Sequence, residues 1–104
     1  MSHNPRESKI ETRLRNGVHK LGGRALKLTK LPGFPDRLVL LPGKITIFVE
    51  LKRPTGTVAE HQELAHDILR GLGHEVETLW DYQQVDAFLK RCSQRVTSTG
   101  TSTS

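Results

Sequence analysis

Aromatic residues, cysteine and long apolar runs are all scarce in this 104-residue chain. The single cysteine, Cys92, can form no disulfide within the chain and cannot supply the clustered thiolates of a structural zinc site. No apolar run approaches the roughly 20 residues that span a bilayer, and segment 1–16 is too polar for a signal peptide. These absences predict an intracellular protein of a reducing compartment, without a membrane segment.

Basic residues outnumber acidic ones, 16 to 11, which gives a formal charge of +5 and a pI near 9.8. This balance favours a polyanionic partner, with nucleic acid first, although moderate charge can also be merely solubilising. Hydrophobic residues make up 35% of the chain, enough for one small and marginally stable core. We therefore predict a flexible segment 1–7, one domain at residues 8–92 and a disordered Ser/Thr-rich tail at 93–104, with dimerisation adding stability.

Hydrophobic periodicity and turn residues predict the order helix, three strands, helix, strand, helix. The first helix is expected to begin at Ser8, in a Ser-x-x-Glu capping box with Glu11. Strands are expected at 24–28, 36–41, 45–52 and 74–80, with a hairpin through Pro42-Gly43. A capping box at 57–60 should open the second helix, with Leu64, Ile68, Leu69 and Leu72 on its buried face, and Asp81 should cap the last helix. This pattern is typical of an α/β fold with a mixed sheet.

The third predicted strand carries charge where a buried strand has no packing use for it. Side chains alternate faces along a strand, so Thr46, Phe48, Glu50 and Lys52 share one face. Hairpin pairing brings Asp36 toward Glu50, and two adjacent carboxylates favour a divalent cation, Mg²⁺ or Mn²⁺ for oxygen ligands. Lys52 could then hold the attacking water or neutralise a scissile phosphate. The alternative is a salt bridge from Lys52 to Asp36 or Glu50 at the rim of the sheet.

The sequence around these residues resembles a nuclease signature. Pro35-Asp36, thirteen residues, and Glu50-Leu51-Lys52 are similar to the PD-(D/E)xK pattern. The chain more narrowly resembles the compact stand-alone form of the VRR-NUC family over about residues 11–89, through Lys27-Leu28, the segments 32–38 and 48–54, Gly56 and Gln62. Phe34 stands where related sequences often have Trp, which should preserve an apolar turn. The resemblance implies a restriction-endonuclease-like core, a mixed sheet flanked by helices in the order α-β-β-β-α-β-α.

The resemblance also implies roles for individual residues. Asp36 and Glu50 would bind Mg²⁺ or Mn²⁺, the Leu51 carbonyl would complete the ligand shell, and Lys52 would be the catalytic lysine. Gln62 would lie near the active centre. Glu11 matches an acidic residue that is a further metal or water ligand in the family, and its role in the capping box is an equal alternative.

Four basic residues near the predicted centre are candidates for DNA binding: Lys27, Lys30, Arg37 and Arg53. Surface ion pairs would explain them almost as well. His61 and His66 are five residues apart, which does not place two imidazoles on one helical face, and all five histidines are interpreted as surface residues. Trp80 and Tyr82 are interpreted as packing residues.

The predicted function is a Mg²⁺- or Mn²⁺-dependent DNA endonuclease, a phosphodiester hydrolase of phage or bacterial cytoplasm. The resemblance implies structure-selective cleavage of branched DNA, such as four-way (Holliday) junctions. Symmetric cutting of two strands requires a C₂ homodimer. One alternative is a basic nucleic-acid-binding module without catalysis, which would bind with strong salt dependence. The other is a restriction-type sequence-specific endonuclease, for which the short chain leaves little recognition subdomain.

Overall fold

A computed structural model of the protein describes residues 5–29, 33–52 and 60–100. These ranges contain three helices and four strands in the predicted order: α1 (Pro5–Lys20), β1 (Arg24–Lys27), β2 (Arg37–Leu41), β3 (Ile45–Leu51), α2 (Glu60–Gly71), β4 (Glu75–Leu79) and α3 (Tyr82–Gly100). The predicted α/β fold is confirmed. Among the described helices, none combines the length and apolar character that a membrane span requires.

The four strands form one mixed sheet in the order β1-β2-β3-β4. The first two pairings are antiparallel, and β3 pairs with β4 in parallel across the α2 crossover. At the hairpin Leu41 pairs with Ile45, and its turn passes through Gly43 and Lys44, both at positive φ. Glycine adopts this backbone region at no steric cost, so Pro42-Gly43 sets the hairpin register.

One face of the sheet is covered by α1 and α3 and forms the core. The apolar residues of β2 and β3 that point into the core occupy every second position, as predicted from the alternation of side chains along a strand: Val39, Leu41, Ile45, Ile47, Val49 and Leu51. They pack against one apolar stripe from each helix, namely Ile10, Leu14 and Val18 of α1 and Val85, Phe88 and Cys92 of α3. Polar residues of β3 therefore lie on the opposite face.

Helix α2 lies over that opposite face. The side of α2 that packs on the sheet is not the side that the sequence predicts. Of the four residues predicted to be buried, Leu69 is buried, whereas Leu64, Ile68 and Leu72 are 62%, 54% and 70% exposed. Ala65 and His66 are buried beside Leu69 instead. The prediction was wrong for three residues because α2 carries two neighbouring apolar stripes, and it packs on the sheet through only one of them.

The helix termini also differ from expectation in two places. Helix α1 begins at Pro5, so Ser8 lies inside it and is not its N-cap; proline suits the first helical position because its missing N–H needs no partner there. Helix α3 runs to Gly100, so residues 93–100 are not a disordered tail. Arg95 pairs with Glu75 at 2.8 Å and Val96 packs against the core, which holds this extension.

The predicted cap of the last helix is confirmed. The Asp81 carboxylate accepts a hydrogen bond from the Gln84 backbone N–H at 2.9 Å, and the Gln84 side chain accepts one from the Trp80 N–H at 2.8 Å. These two bonds satisfy backbone donors at the start of α3. The expected capping box at 57–60 and the end of the tail at 101–104 lie outside the described residues.

Candidate active site

Asp36 and Glu50 meet at the end of the hairpin strands. Arg37 pairs with Val49, so the same register continued by one residue places Asp36 opposite Glu50. Both residues alternate with core positions and therefore belong to the sheet face that α2 covers. The Asp36 carboxylate accepts a hydrogen bond from the Leu51 N–H at 3.2 Å. The structure thus brings together the two carboxylates that the sequence singled out.

Lys52 and Gln62 complete a network around Glu50. Lys52 Nζ donates to Gln62 Oε1 at 2.9 Å and lies 3.4 Å from Glu50 Oε2, while Gln62 Nε2 donates to the same Glu50 oxygen at 3.1 Å. The Lys52 backbone N–H donates to the Leu79 carbonyl of β4 at 2.9 Å, which holds the strand end in place. Strands β3 and β4 and helix α2 therefore position the side chains of Glu50, Lys52 and Gln62.

The electrostatic balance of the site is unfavourable to negative charge. Burial, and next the nearby charge of Glu50, raise the pKa of Asp36 to about 6 against the opposing effects of the Leu51 N–H and Arg37. The Glu50 side chain is 6% exposed, and its Oε1 has no hydrogen-bond partner among the described residues. A buried and a partly buried carboxylate with one unpaired oxygen are suited to binding a cation.

Two other predicted site residues, Glu11 and Arg37, pair with each other elsewhere. Arg37 Nη2 lies 2.8 Å from Glu11 Oε2, and the Arg37 side chain is only 5% exposed. Adjacent strand residues point to opposite faces, so Arg37 points toward α1 and the core while Asp36 points away. Arg37 is therefore buried and not placed to contact DNA as predicted. Glu11 lies inside α1 and forms no capping box at its start, and its role as a metal or water ligand stays a prediction. Within the described ranges, no group of three or more His, Cys, Asp or Glu could hold a metal.

The Glu11–Arg37 pair predicts a stability effect. Glu11→Gln should lower the free energy of unfolding by about 3 kcal/mol, because it leaves the buried Arg37 charge uncompensated. Urea unfolding of the metal-free protein measures this. The matched control is Glu77→Gln, which removes an exposed pair with Arg91 and should cost at most about 1 kcal/mol. A metal-ligand role for Glu11 would instead appear as weaker cation affinity with unchanged metal-free stability.

The remaining basic candidates lie near the end of β1 or outside the description. Lys27 is exposed at the end of β1 and pairs in register with Arg37, and the following Leu28 N–H donates to the Asp36 carbonyl at 2.9 Å. The Lys27 backbone therefore lies near Asp36, but its side chain shares the sheet face of Arg37 and points away from the two carboxylates. Lys30 and Arg53 lie outside the described residues.

Sequence reasoning missed His66, which was expected on the surface. The residue is 3% exposed, its Nε2 has no hydrogen-bond partner among the described residues, and burial lowers its pKa. Its position four residues after Gln62 was the available signal, because residues at i and i+4 share a helical face. His19 and His74 are exposed, as expected, while His3 and the His61 side chain lie outside the description. Tyr82 packs beneath Arg13, whose guanidinium carbon is 4.6 Å from the ring centroid.

A mixed sheet flanked by helices, with two carboxylates and a lysine at one strand end, defines the restriction-endonuclease-like class of fold. A solved structure described as a VRR_NUC domain superposes with a TM-score of 0.74 at 28% identity, over 84% of this chain and 97% of that chain. "Putative nuclease p44" of Acyrthosiphon pisum secondary endosymbiont phage 1 is 42% identical over 86 residues, which cover 81% of this chain and 91% of the relative. No family model matches the sequence. The chain belongs to the VRR-NUC family of nuclease domains.

Proposed function

We propose that this VRR-NUC protein is a Mg²⁺- or Mn²⁺-dependent endonuclease that hydrolyses phosphodiester bonds in DNA. The observation that carries the proposal is the network at the end of β3, where Lys52 and Gln62 surround Glu50 beside Asp36. A purely structural salt bridge would need Lys52 and one carboxylate. A second, partly buried carboxylate of raised pKa has no use in such a bridge and fits a catalytic site.

The residues present fit a divalent cation. Glu50 Oε1 is buried without a partner among the described residues, and Asp36 and Glu50 repel each other when both are ionised. A cation bound between them would satisfy the unpaired oxygen and offset the repulsion. Because the donors are all oxygens, Mg²⁺ and Mn²⁺ suit the site better than zinc.

In the proposed reaction, Asp36, Glu50 and the Leu51 carbonyl would hold the cation. When bound, the cation would neutralise phosphate charge and lower the pKa of the attacking water. Lys52 Nζ would orient that water or offset the negative charge that develops on the phosphate. Gln62 holds Lys52 through Oε1 and Glu50 through Nε2, so it positions both groups relative to each other.

DNA is the proposed substrate, with branched forms such as four-way junctions preferred. A formal charge of +5 supports a polyanionic substrate, and the exposed Lys27 stays a proposed DNA contact at the edge of the sheet near Asp36, although its side chain shares the opposite face with Arg37. Lys30 and Arg53 remain part of the proposed DNA-binding set. The similarity to a phage protein named as a nuclease supports a place in phage or bacterial cytoplasm.

The proposal is tested by cleavage of labelled duplex, single-stranded, flap and four-way-junction DNA. Each substrate is incubated with Mg²⁺, Mn²⁺, Ca²⁺ or EDTA. We expect internal cuts that require Mg²⁺ or Mn²⁺ and are fastest on the branched substrates. Salt-sensitive binding without metal-dependent cutting of any substrate would reject the enzyme and leave the binding-module alternative.

A homodimer is also proposed, because symmetric cutting of a branched substrate needs two active sites. Three exposed residues on the outer side of α2 and at its C-terminal end support it: Leu64, Ile68 and Leu72 recur at intervals of four and form one apolar stripe. Contiguous apolar patches exposed on a soluble domain mark interaction sites, which include contacts between two copies. Burial against a second copy would also add to a small core.

The stripe predicts the oligomeric state of a double variant. Leu64→Lys with Ile68→Lys should convert the dimer to a monomer, because it places charge in the apolar contact. Light scattering after size exclusion gives the mass. The control, Gln83→Lys with Gln94→Lys, adds the same charge to exposed positions of α3 and should remain dimeric. A wild-type protein that is monomeric at all concentrations contradicts the dimer.

A further inference from the structure

The outer side of α1 carries a basic row that has no part in the proposed active site. Lys9, Arg13 and Lys20 are four and seven residues apart, so they lie on one face of the helix, and all three are exposed. The row lines a groove between α1 and α3, together with Asn16 of α1 and Asp86 of α3. Because α1 and α3 cover the core face of the sheet, this groove and the helix α2 are on opposite sides of the molecule.

The two lysines of the row carry the charge that remains available in this groove. Arg13 donates to both oxygens of the Asp86 carboxylate, at 2.8 and 3.3 Å, so the acidic group that lines the groove is already paired. Among the residues that the structure describes, neither Lys9 nor Lys20 has an ion-pair partner. Asn16 adds an exposed amide that can donate hydrogen bonds. Two ammonium groups and a neutral donor are suited to binding phosphate oxygens.

Helix α1 extends from the active-site end of the sheet to the hairpin end. Near the start of the helix, Glu11 pairs with Arg37, the residue that follows Asp36. Just beyond its end, Gly22 lies against Pro42 of the hairpin. The basic row therefore leads away from the proposed active site, from Lys9 at the near end to Lys20 at the far end.

The row is long enough to bind several phosphates of one DNA strand. At about 1.5 Å per residue, Lys9 and Lys20 are separated by about 16 Å along the helix axis. One DNA strand carries a phosphate about every 3.4 Å along the duplex axis, so this length spans roughly five phosphates. Each lysine can therefore contact a different phosphate of the same backbone.

Helix α2, which also borders the active site, has the opposite charge. The sequence of α1 contains five Lys or Arg residues and two acidic residues, whereas that of α2 contains one Arg and three acidic residues. The acidic residues of α2 are all exposed: Glu60, Glu63 and Asp67. DNA that extends beyond the active site is therefore repelled along the outer surface of α2 and attracted along α1.

We propose that the basic row of α1 binds the phosphate backbone of a second duplex arm while the first arm of a branched DNA occupies the active site. The inference rests on the proposed function, because it takes branched DNA as the substrate. Phosphate contacts fix the position of a duplex without reading its sequence. The Asp36 and Glu50 side chains and the row lie on opposite faces of the sheet, so a straight duplex contacts one of them at a time. The row therefore favours a junction over a linear duplex through geometry.

DNA binding measured by fluorescence anisotropy in EDTA tests the row without cleavage. The affinities of the full chain for a labelled four-way junction and for a linear duplex are measured over a range of KCl concentrations. Each phosphate contact adds about 0.9 to the slope of log K against log salt concentration. Lys9→Gln with Lys20→Gln should therefore make the junction slope shallower by about 2, and should change the linear-duplex slope by less than about 0.5. Lys9→Arg with Lys20→Arg keeps both charges and should bind both DNAs as wild type does.

The matched control is Arg15→Gln with Lys90→Gln, which removes two exposed positive charges outside the groove. Its junction slope should stay within about 0.5 of wild type. Glutamine has a helix propensity close to those of lysine and arginine, so the Tm of every variant should stay near that of wild type. Thermal unfolding checks this for each protein before the DNA titrations.

Two results overturn the inference. One is a junction slope that is the same for the Lys9→Gln, Lys20→Gln variant and the control variant. The other is an equal loss of slope for the junction and the linear duplex, because the row would then bind the arm that is cleaved. If wild type cuts DNA and either result is found, the inference alone fails. If the slopes are as expected but wild type cuts no DNA with Mg²⁺ or Mn²⁺, the nuclease proposal fails and the row stands as a DNA-binding surface. A wild-type protein that binds no DNA overturns both.

Discussion

Substitution of Lys52 by methionine is expected to lower the rate of Mg²⁺-dependent DNA cleavage about a thousandfold. Lys52 Nζ is the cationic group of the site, 2.9 Å from Gln62 Oε1 and 3.4 Å from Glu50 Oε2. Removing a single preorganised group that stabilises transition-state charge commonly costs a factor of about 10²–10³ in rate. Methionine keeps the unbranched stem and deletes the charge, so the effect reports on the ammonium group.

Single-turnover cleavage of the preferred junction substrate measures this loss. The matched control is Lys90→Met, which removes an exposed lysine from α3 on the other side of the sheet and should stay within twofold of wild type. Mn²⁺ affinity is measured on both variants, so that loss of chemistry is separated from loss of the cation. A Lys52→Met rate within tenfold of wild type would exclude Lys52 as a catalytic residue.

Asp36→Asn is expected to stabilise the metal-free protein at neutral pH and to abolish its stabilisation by Mn²⁺. Burial and Glu50 raise the pKa of Asp36 from 3.8 to about 6, so the folded protein binds this proton more tightly than the unfolded chain does. Ionisation of Asp36 therefore lowers the free energy of unfolding of the metal-free wild type. This loss is absent below about pH 4, grows between about pH 4 and 6, and is complete above that range. The shift corresponds to up to about 3 kcal/mol. Asparagine avoids the penalty and keeps the oxygen that accepts from the Leu51 N–H.

Thermal unfolding of wild type and Asp36→Asn between pH 4 and pH 8 tests the direction in which their stability difference changes with pH. Without metal, the two Tm values should agree near pH 4 and separate as the pH rises, with the variant more stable. Asp86→Asn, in an exposed pair with Arg13, should show no such divergence. A Tm difference that is independent of pH, or a less stable variant at pH 7.5, would contradict the raised pKa.

The centre of the site could be predicted because short-range geometry determines it. Alternation along β3 places Glu50 and Lys52 on one face, and a tight turn at Pro42-Gly43 sets a register that brings Asp36 opposite Glu50. No information about distant packing enters this argument. The roles of these residues stay predictions until the metal and cleavage experiments are done.

The orientation of α2 could not be predicted in the same way. The helix and the turn residue that follows it carry an apolar stripe at Leu64, Ile68 and Leu72, next to a second one at Ala65 and Leu69. Hydrophobic periodicity does not distinguish between the two stripes. The choice depends on contacts with strands far away in sequence. Gln62 bonds Glu50 and Lys52, and this turns Leu69 and His66 toward the sheet.

The sequence by itself determined the order of helices and strands, the mixed sheet and the pairing of Asp36 with Glu50, because each follows from periodicity or from one tight turn. The tertiary structure alone decided that Glu11 pairs with Arg37, that His66 is buried behind the site and that α3 continues to Gly100. Those outcomes depend on which charged and apolar groups meet across elements. Burial in the assembled fold changes the free energy of each group, and no local pattern reports that change.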